Sequence, residues 1–461
     1  MKILVTGGTG FVGSKVVISL FEQGHELFIL TRSAARAKKK LPLPISFLEG
    51  DLSKGVVENL PSVDAVINLA GENIGEGRWS PEEKKRIKRS RAALSKNLIS
   101  SLSLDSIEVF LQASAIGYYR DSKGDEWIDE NTEMGEHFLA DVCKEWEAPA
   151  RSLPENIRVV IPRIGVVLGS DGALMAKLIP LYRAALGGVL GDGKQWMSWI
   201  HIEDLVKFIT QSMDIPKFRG TINLTAPSPI TNREFNSELS RFCQRPAPFK
   251  VPKFMLKATM GEKSYLALSS QRISSRLGSE LGFDFKFNNI SSALKEICGH
   301  EQLAHEEEEG FHYKLDRLMY IKKPKKEVFE FFARPGNLEL VSSKSLDIEL
   351  THISDERLKE GAIFNFKAKK YGIGMTIKSK VVSFEEGESF IDVQTSGPFE
   401  SWSHKHKFIG FRGGTIAVDQ VRYRMPFKIF GDFAAKKGQS EVAGMFDQRI
   451  NDILNYFEEK R

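Results

Sequence analysis

The chain of 461 residues exceeds the length of a typical single domain, so the sequence predicts two or three domains. Its 65 Lys and Arg residues exceed its 60 Asp and Glu residues only slightly, which gives no indication of a nucleic-acid partner. Three widely separated cysteines suit no disulfide framework or zinc site, and without a signal-peptide core or a membrane-spanning apolar run the chain is expected to be soluble and cytoplasmic.

The first thirteen residues predict a strand, a glycine turn and a helix, in that order. The apolar run 3–5 indicates a buried strand, and apolar residues at helical spacing begin at Val16. Gly7 would make the tight turn, Gly10 would let the backbone approach a pyrophosphate, and Gly13 would let the helix pack closely on the strand. Glycines also serve plain turns, but the strand before them and the helix N-terminus after them favour a dinucleotide site.

The string TGGTGFVG, residues 6–13, resembles the start of the extended short-chain dehydrogenase/reductase superfamily, which includes nucleotide-sugar epimerases. The resemblance implies an α/β fold with a Rossmann-type, doubly wound parallel sheet. It also implies that cofactor-binding residues lie in this turn, namely Thr6, Gly7, Gly10, Phe11, Val12 and Gly13.

The end of the second predicted strand, residues 26–30, bears on the choice of nucleotide. In NAD-preferring folds an acidic residue near this point binds the ribose 2′-hydroxyl, whereas an arginine accommodates a 2′-phosphate. Here the acid is absent and Arg32 stands in its place, although it could also be an ordinary surface arginine. Arg36 is a second candidate, about one helical turn further on. The sequence therefore predicts NADP as the cofactor.

Two further strand ends carry motifs of the same superfamily. By the resemblance, an Asp-Leu pair after the third strand lies beside the adenine. The apolar run 65–67 leads into the string NLAG, which resembles the NAAG-type motif and implies an asparagine that links neighbouring strands beneath the cofactor. The cofactor-binding residues predicted at these two places are Asp51, Leu52, Asn68, Leu69, Ala70 and Gly71.

A capped helix start at Ser80 and Pro81 precedes the basic run 84–91, which is typical of a solvated helix face. Together with later strings, this region resembles the atypical branch of the superfamily known as the epimerase family. The resemblance extends over about residues 1 to 298 and depends on the strings NLAGENI, ASAIGYY, FLADVCKEWE, PRIGVVLG and QWMSWIHIEDL.

The expected catalytic residues are only partly present. In the superfamily a serine polarises the substrate carbonyl, and Ser114 follows a strand at the position that matches it. The tyrosine and lysine of the following helix align with Leu139 and Cys143, which can do neither task, and Lys144 is displaced by about 100° around the helix. Proton delivery from Tyr118 or Tyr119, or from water, is the remaining route, although both tyrosines could instead pack on the cofactor or line the pocket.

Arg163 lies in a segment that, by the resemblance, closes over the nicotinamide side, so we group it with the cofactor-binding residues. It could equally contact the substrate or pair with an acid. Trp196 and Trp199 are expected to wall the pocket, and a structural role is expected for His201 and for Asp204, as a helix cap.

The last 150 residues have a different pattern. A strand, two short helices, several alternating strands with a hairpin at residues 413–414 and a final amphipathic helix resemble the START/Bet v1-like (SRPBCC) family, a helix-grip α+β fold that encloses an apolar cavity. Strand periodicity places His404 and His406 on one face with Trp402 and Phe408. The histidines could be satisfied within a core or bind a ligand; no third metal ligand is evident, so no metal site is predicted.

The predicted organisation is an NADP-binding domain at 1–244, a small cap at 245–300, an acidic linker at 301–310 and a hydrophobic-ligand domain at 311–461. The main hypothesis is an NADP(H)-dependent oxidoreductase acting on a small molecule. The alternatives are a non-catalytic or weakly catalytic NADP(H)-sensing binding protein, motivated by the absent tyrosine and lysine, and a nucleotide-sugar epimerase, which would need a base that this helix lacks.

Overall fold

The computed structural model describes residues 1–75, 77–170, 172–298, 313–341, 347–370, 373–411, 413–424 and 431–459. The predicted acidic linker lies outside these residues. The chain divides into two compact units: Met1–Leu41 with Ile45–Ile297, and Pro42–Pro44 with Cys298–Arg461.

The strands of the first unit are short and begin with the predicted strand before the glycine turn. They are β1 (Lys2–Thr6), β2 (Glu26–Thr31), β3 (Ser46–Glu49), β4 (Ala65–Asn68), β5 (Val109–Gln112), β6 (Ser114–Ala115), β7 (Arg158–Ile164), β8 (Val166–Leu168), β9 (Gly188–Leu190), β10 (Trp196–Met197), β11 (Trp199–His201), β12 (Gly220–Leu224), β13 (Ile230–Thr231) and β14 (Phe249–Val251).

The helices of the first unit alternate with these strands over most of its length. They are α1 (Phe11–Glu22), α2 (Ala34–Lys40), α3 (Pro81–Lys88), α4 (Leu94–Ser100), α5 (Phe138–Arg151), α6 (Met175–Arg183), α7 (Ile202–Asp214), α8 (Asn232–Phe242), α9 (Lys253–Met260), α10 (Tyr265–Leu268), α11 (Arg276–Glu280) and α12 (Ile290–Ile297).

The main sheet of the first unit is parallel and has the strand order β12-β7-β5-β4-β1-β2-β3, with β6 paired to β7. Strands β4 and β5, and β1 beyond its first residue, are fully buried, as expected for apolar strands covered on both faces. The chain order reverses between β1 and β4, and ligands of such sheets bind outside the carboxyl ends of the strands at this point. The predicted doubly wound α/β fold is therefore confirmed.

The second unit is an antiparallel sheet with one long helix. Its elements are β15 (Tyr313–Ile321), α13 (Lys325–Phe332), β16 (Asp347–Ile353), β17 (Ile363–Lys370), β18 (Ile373–Glu385), β19 (Ser389–Ser396), β20 (Ser401–Phe411), β21 (Gly414–Arg424) and α14 (Gly431–Glu459). The strand order is β15-β21-β20-β19-β18-β17-β16. Phe411 pairs with Gly414, so the predicted hairpin between β20 and β21 is confirmed.

The core of the second unit joins the sheet to both helices. Phe329 of α13 and Phe408 of β20 are buried together with Ile453 of α14. A neighbouring cluster packs Val442 and Phe446 of α14 against β21. The amphipathic face predicted for the final helix therefore does pack on the sheet. Among the described residues, no helix combines the length and the apolar character that crossing a membrane requires.

Candidate active site

The glycine turn after β1 has the close backbone contacts that its spacing predicts. Gly7 has a φ of +69°, and a Cβ on Gly13 would lie 2.2 Å from the carbonyl oxygen of Gly7. Gly10 is exposed, and a Cβ there would meet only that same oxygen, at 3.1 Å. Helix α1 begins at Phe11 without a side-chain cap, and the N–H groups of a first turn have no partner within their helix. The turn thus combines open space with unbonded donors, which suits a diphosphate.

Asn68 links three strands of the parallel sheet at their carboxyl ends. Its Oδ1 accepts a hydrogen bond of 2.5 Å from Thr6 Oγ1, and its Nδ2 donates to Gln112 Oε1 and to Ser95 Oγ, both at 2.9 Å. These four side chains are buried. The predicted strand-linking role of Asn68 is confirmed, and Leu69 to Gly71 continue from it toward the surface.

The residues predicted to contact the adenosine half lie at neighbouring strand ends. Arg32 follows β2 and is exposed, as is Arg36 on α2. A hydrogen bond of 2.6 Å from Ser53 Oγ lowers the pKa of the Asp51 carboxyl, and the charge of Arg32 contributes in the same direction. Leu52 differs from the others because its side chain is buried in the core.

Ser114 belongs to a buried ionic network that the sequence did not indicate. Its Oγ donates a 2.6 Å hydrogen bond to Glu147 Oε1, while Nε and Nη2 of Arg163 donate to the two oxygens of Glu147 at 2.9 and 3.0 Å. Arg151 adds a bond of 2.6 Å from the surface side. Burial raises the pKa of Glu147, but the bonds and charge of Arg163, with smaller contributions from Ser114 and Arg151, bring it below its usual value.

Of the roles considered for Arg163, the structure supports pairing with an acid. The guanidinium is 3% exposed and engages both carboxylate oxygens of Glu147. It also lies over two aromatic rings, with Arg163 Cζ 3.4 Å from the ring centroid of Tyr118 and 4.8 Å from that of Tyr119. A direct contact with a cofactor is therefore not supported by this geometry. Glu147 ends the FLADVCKEWE string and shares the apolar face of α5. An acid on the apolar face of an amphipathic helix is the sequence signal that could have indicated it.

The two tyrosines after Ser114 have different environments. Tyr119 is fully buried, and its hydroxyl donates a 2.8 Å hydrogen bond to Asn223 Oδ1. Burial raises the pKa of Tyr119 to about 12. Tyr118 is partly exposed and stacks on Arg163. The expectation that either tyrosine could deliver a proton is thus not supported for Tyr119, whose hydroxyl is already engaged in the core.

Leu139 and Cys143 are the residues of α5 that align with the tyrosine and lysine of the superfamily. Both side chains are buried and face the loop after Ser114, because a Cβ on Gly117 would lie 3.5 Å from Leu139 Cβ and 3.9 Å from Cys143 Sγ. Burial raises the pKa of Cys143 to about 12, so its thiol stays neutral. Lys144 is exposed, as predicted from its position around the helix. This part of the site offers an apolar wall and no acid–base group.

The prediction of a solvated basic face for residues 84–91 is wrong for its end. A π-helical turn, Arg89–Ala93, follows α3 and turns Ser90 and Arg91 inward. Arg91 Nη2 donates to Glu72 O at 2.8 Å, and its guanidinium lies 5.0 Å from the Trp146 ring. Burial lowers the pKa of Arg91. Such π-turns occur often at functional sites, and no composition signal reveals them.

Two other expectations also need correction. Trp199 is fully buried, and its Nε1 donates to Ser228 O, so it is a core residue and not a pocket wall; Trp196 is partly exposed. Asp204 accepts hydrogen bonds from the N–H groups of Lys286 and Phe287 and does not cap α7. His201 caps that helix instead, through a bond from the Glu203 N–H.

The second unit contains a cavity of about 430 Å³ between its sheet and α14. Its lining is mainly aromatic and aliphatic, and it includes a cluster of polar side chains around two histidines. Trp402, His404, His406 and Phe408 share a face of β20, as predicted, and both histidines are buried and line the cavity. The polar cluster also contains Asp392, a candidate metal ligand that the sequence did not reveal.

The parallel sheet, the glycine turn at its switch point and the linked strand ends define a Rossmann-type α/β protein of the dinucleotide-binding class. Residues 3–224 match the NAD dependent epimerase/dehydratase family, and residues 251–297, within the predicted cap, match a domain of unknown function, DUF1731. The Arabidopsis thaliana protein named "Epimerase family protein SDR39U1 homolog, chloroplastic" is 39% identical over 305 residues, which cover 64% of this chain and 86% of that protein. The chain therefore belongs to the epimerase family, as its motifs predicted.

Two further proteins extend this comparison. The epimerase family protein YfhF of Bacillus subtilis is 33% identical over 64% of this chain and 98% of its own length. The crystal structure of human epimerase family protein SDR39U1 (isoform 2) with NADPH is 30% identical and has a TM-score of 0.59, covering 64% of this chain and 99% of that chain.

Proposed function

We propose that this protein is an NADP(H)-dependent oxidoreductase of the epimerase family that acts on a small-molecule substrate. The observation that carries the proposal is the glycine turn at the sheet's switch point, combined with exposed Arg32 after β2. The human relative was crystallised with NADPH, which supports the same nucleotide here.

The residues of this chain would divide the binding tasks. The turn of Gly7, Gly10 and Gly13 would bind the diphosphate through backbone N–H groups, and Arg32 would bind the 2′-phosphate. The network around Asn68 would keep the strand ends rigid beneath the nucleotide. When bound, NADPH would supply a hydride to a substrate carbonyl.

Arg32 can be tested against its neighbour on α2. Arg32→Glu removes the cation and places an acid beside the ribose, so NADPH affinity should fall by about 10- to 100-fold, as expected for loss of a charge-assisted bond of about 1.5–3 kcal/mol. NADH affinity should stay the same or rise. Lys38→Glu, at an exposed position of α2, is the matched control, and calorimetry on the full chain measures both nucleotides. A stronger signal for NADH with the unmodified protein would refute the assignment.

We further propose Tyr118 as the proton donor, in place of the tyrosine that Leu139 replaces. It is partly exposed, it follows Ser114 closely, and the Arg163 guanidinium stacked on its ring at 3.4 Å would stabilise negative charge developing on the phenol. Ser114 stays in the proposal as the group that polarises the carbonyl. This role requires its hydroxyl to turn from Glu147 toward the substrate.

The experiment is NADPH oxidation with a broad panel of carbonyl compounds. Tyr118→Phe should lower kcat by about 10²- to 10⁴-fold, the usual contribution of a general acid. Tyr119→Phe is the matched control: it should leave kcat unchanged while removing a buried hydrogen bond to Asn223, at about 1–3 kcal/mol of unfolding free energy. Ser114→Ala should abolish turnover. Absence of turnover with every compound would count against an oxidoreductase.

A second candidate is a protein that binds NADP(H) without catalysis and carries or senses a lipid-like molecule. Leu139 and Cys143 in the catalytic helix favour it, because neither can transfer a proton near neutral pH. Equal ligand affinity of the second unit with and without NADPH would refute this coupling. A nucleotide-sugar epimerase ranks third; the Corynebacterium glutamicum nucleoside-diphosphate sugar epimerase, 30% identical with a TM-score of 0.51, supports it. Binding of a nucleotide sugar by the full chain would revive it.

For the second unit, we propose a START/Bet v1-like domain that binds a hydrophobic ligand in its cavity. The order of elements and the aromatic lining, which includes Phe332, Phe366 and Phe446, support this. Phe332→Trp would partly fill the cavity and should weaken binding of a fluorescent fatty-acid probe. Unchanged probe affinity in this variant would contradict the assigned cavity.

A further inference from the structure

The polar cluster in the second unit consists of side chains from three adjacent strands. In the sheet register Asp392 of β19 lies opposite His404 of β20, and His406 of β20 lies opposite Asp419 of β21. All four residues are at most 6% exposed. Burial of two carboxylates and two imidazoles side by side is unfavourable unless each finds a partner, so the arrangement needs an explanation.

The distances within the group are short enough for a shared ion. One ligand atom each from Asp392, His404 and His406 lie within 4.8 Å of one another, and His406 Nε2 is 3.4 Å from Asp392 Oδ1. These three residues also line the cavity. A metal ion placed among them would therefore face an apolar space with room for a further ligand.

Asp419 is in the position of a residue that orients metal-binding imidazoles. Its Oδ1 lies 3.1 Å from His404 Nε2 and 2.9 Å from His406 Nδ1. Contacts to these two nitrogens leave His404 Nδ1 and His406 Nε2 for a metal. Metal-binding histidines commonly use their second nitrogen in this way, with a carboxylate fixing the ring.

Two carboxylates near the histidines are not fully satisfied by the described residues. Asp392 and Asp452 line the cavity, Asp419 contacts both histidines, and the Arg449 guanidinium lies 4.0 Å from Asp419 Oδ2. Asp419 Oδ2 and Asp452 Oδ2 are buried without a hydrogen-bond partner in the described part of the chain. A pair of core histidines satisfied by aspartates would explain the His–Asp contacts but not these unpaired oxygens.

We propose that Asp392, His404 and His406 bind a divalent first-row transition metal ion, with Asp419 as the residue that positions both imidazoles. Two imidazoles and one carboxylate are the donor set of catalytic zinc sites and of non-haem iron sites that keep open coordination positions. The open positions would face the cavity. The site shares no residue with the proposed nucleotide-binding site, and the proposal does not depend on the reaction proposed there.

The test uses the full chain without an affinity tag, stripped with a chelator and titrated with Zn²⁺ by calorimetry and with Co²⁺ by visible absorption. One ion should bind per chain, and Co²⁺ should give ligand-field bands that report imidazole coordination. Asp392→Asn, His404→Gln and His406→Gln should each weaken Zn²⁺ at least 100-fold. Asp419→Asn should weaken it by about 10- to 100-fold, the range for a residue that orients a ligand.

His352→Gln is the matched control, because this histidine belongs to the same sheet and is exposed. It should leave Zn²⁺ affinity unchanged. Melting curves in chelator establish that each variant is folded, and the near-isosteric Asp392→Asn remains informative if a histidine variant unfolds. Absence of Co²⁺ bands, or unchanged affinity in folded Asp392→Asn, would overturn the proposal, as would an equal loss in His352→Gln.

Discussion

The ionic network of Glu147 provides the most direct test of the first unit's structure. Glu147→Gln retains the shape of the side chain but removes its charge, which leaves the 3% exposed guanidinium of Arg163 without its carboxylate. Breaking a buried ion pair by removing one partner destabilises a protein by about 3–5 kcal/mol. We expect a loss of unfolding free energy in this range.

Arg151→Ala is the matched control for this prediction. Arg151 bonds the same carboxylate at 2.6 Å, but its side chain is 48% exposed. Exposed ion pairs contribute about 0–1 kcal/mol, so this variant should lose far less stability. A double variant, Glu147→Leu with Arg163→Met, should be less destabilised than Glu147→Gln, because an apolar pair leaves no buried charge unpaired.

Denaturant unfolding followed by tryptophan fluorescence measures these differences. Five of the six tryptophans lie within residues 1–297, so the signal reports mainly the first unit. If Glu147→Gln and Arg151→Ala lost similar amounts of unfolding free energy, the burial and pairing of Arg163 described here would be wrong. The same result would remove the reason to regard Ser114 as held by this network.

Three further predictions concern the same unit. Gly13→Ala would place a methyl group 2.2 Å from the Gly7 carbonyl oxygen, so it should lower stability by about 1–3 kcal/mol and also lower NADPH affinity. Gly10→Ala has a nearest contact of 3.1 Å, so it should lower NADPH affinity with little effect on stability; calorimetry measures the affinity of both variants and denaturant unfolding their stability. The pKa of Glu147 in the folded protein lies below its ordinary 4.5, so its contribution to stability is present above pH 4.5 and is lost as the pH falls through the folded pKa. Glu147→Gln should therefore flatten the acid limb of a curve of stability against pH. An unchanged acid limb would contradict the assigned direction of the pKa shift. Cys143, buried and with a pKa raised to about 12, should resist iodoacetamide in the native chain and react after unfolding, as peptide mass spectrometry would detect.

Residue spacing predicted the glycine turn of the first unit well. A tight turn with a positive φ and a helix packed on backbone need glycine at fixed intervals, so Gly7 and Gly13 are identifiable from the string itself. The linking role of Asn68 also followed from a motif, because it depends on where a strand ends. The shared strand face of His404 and His406 followed from alternation alone.

Side chains that meet across distant elements could not be predicted in the same way. The sequence left several roles open for Arg163, because it does not show that β7 lies beside α5. There the Nε and Nη2 atoms of Arg163 donate hydrogen bonds to the carboxylate of Glu147. Arg91 belongs to a basic run whose composition predicted a solvated helix face, but a local π-helical turn directs its side chain inward. Trp199 was expected at a pocket but lies in the core, since the pairing of its short strand with β8 buries it.

By itself, then, the sequence determined the class of fold, the family and the glycine turn, because these depend on local backbone geometry and on patterns a few residues long. The tertiary structure decided which polar groups share a site. Asp392 joins the two histidines through the register of β19 on β20, and Glu147 joins Ser114 through the packing of α5 on the sheet. Contacts of this kind depend on which elements become neighbours, and burial then makes each unpaired charge unfavourable enough to fix its partner.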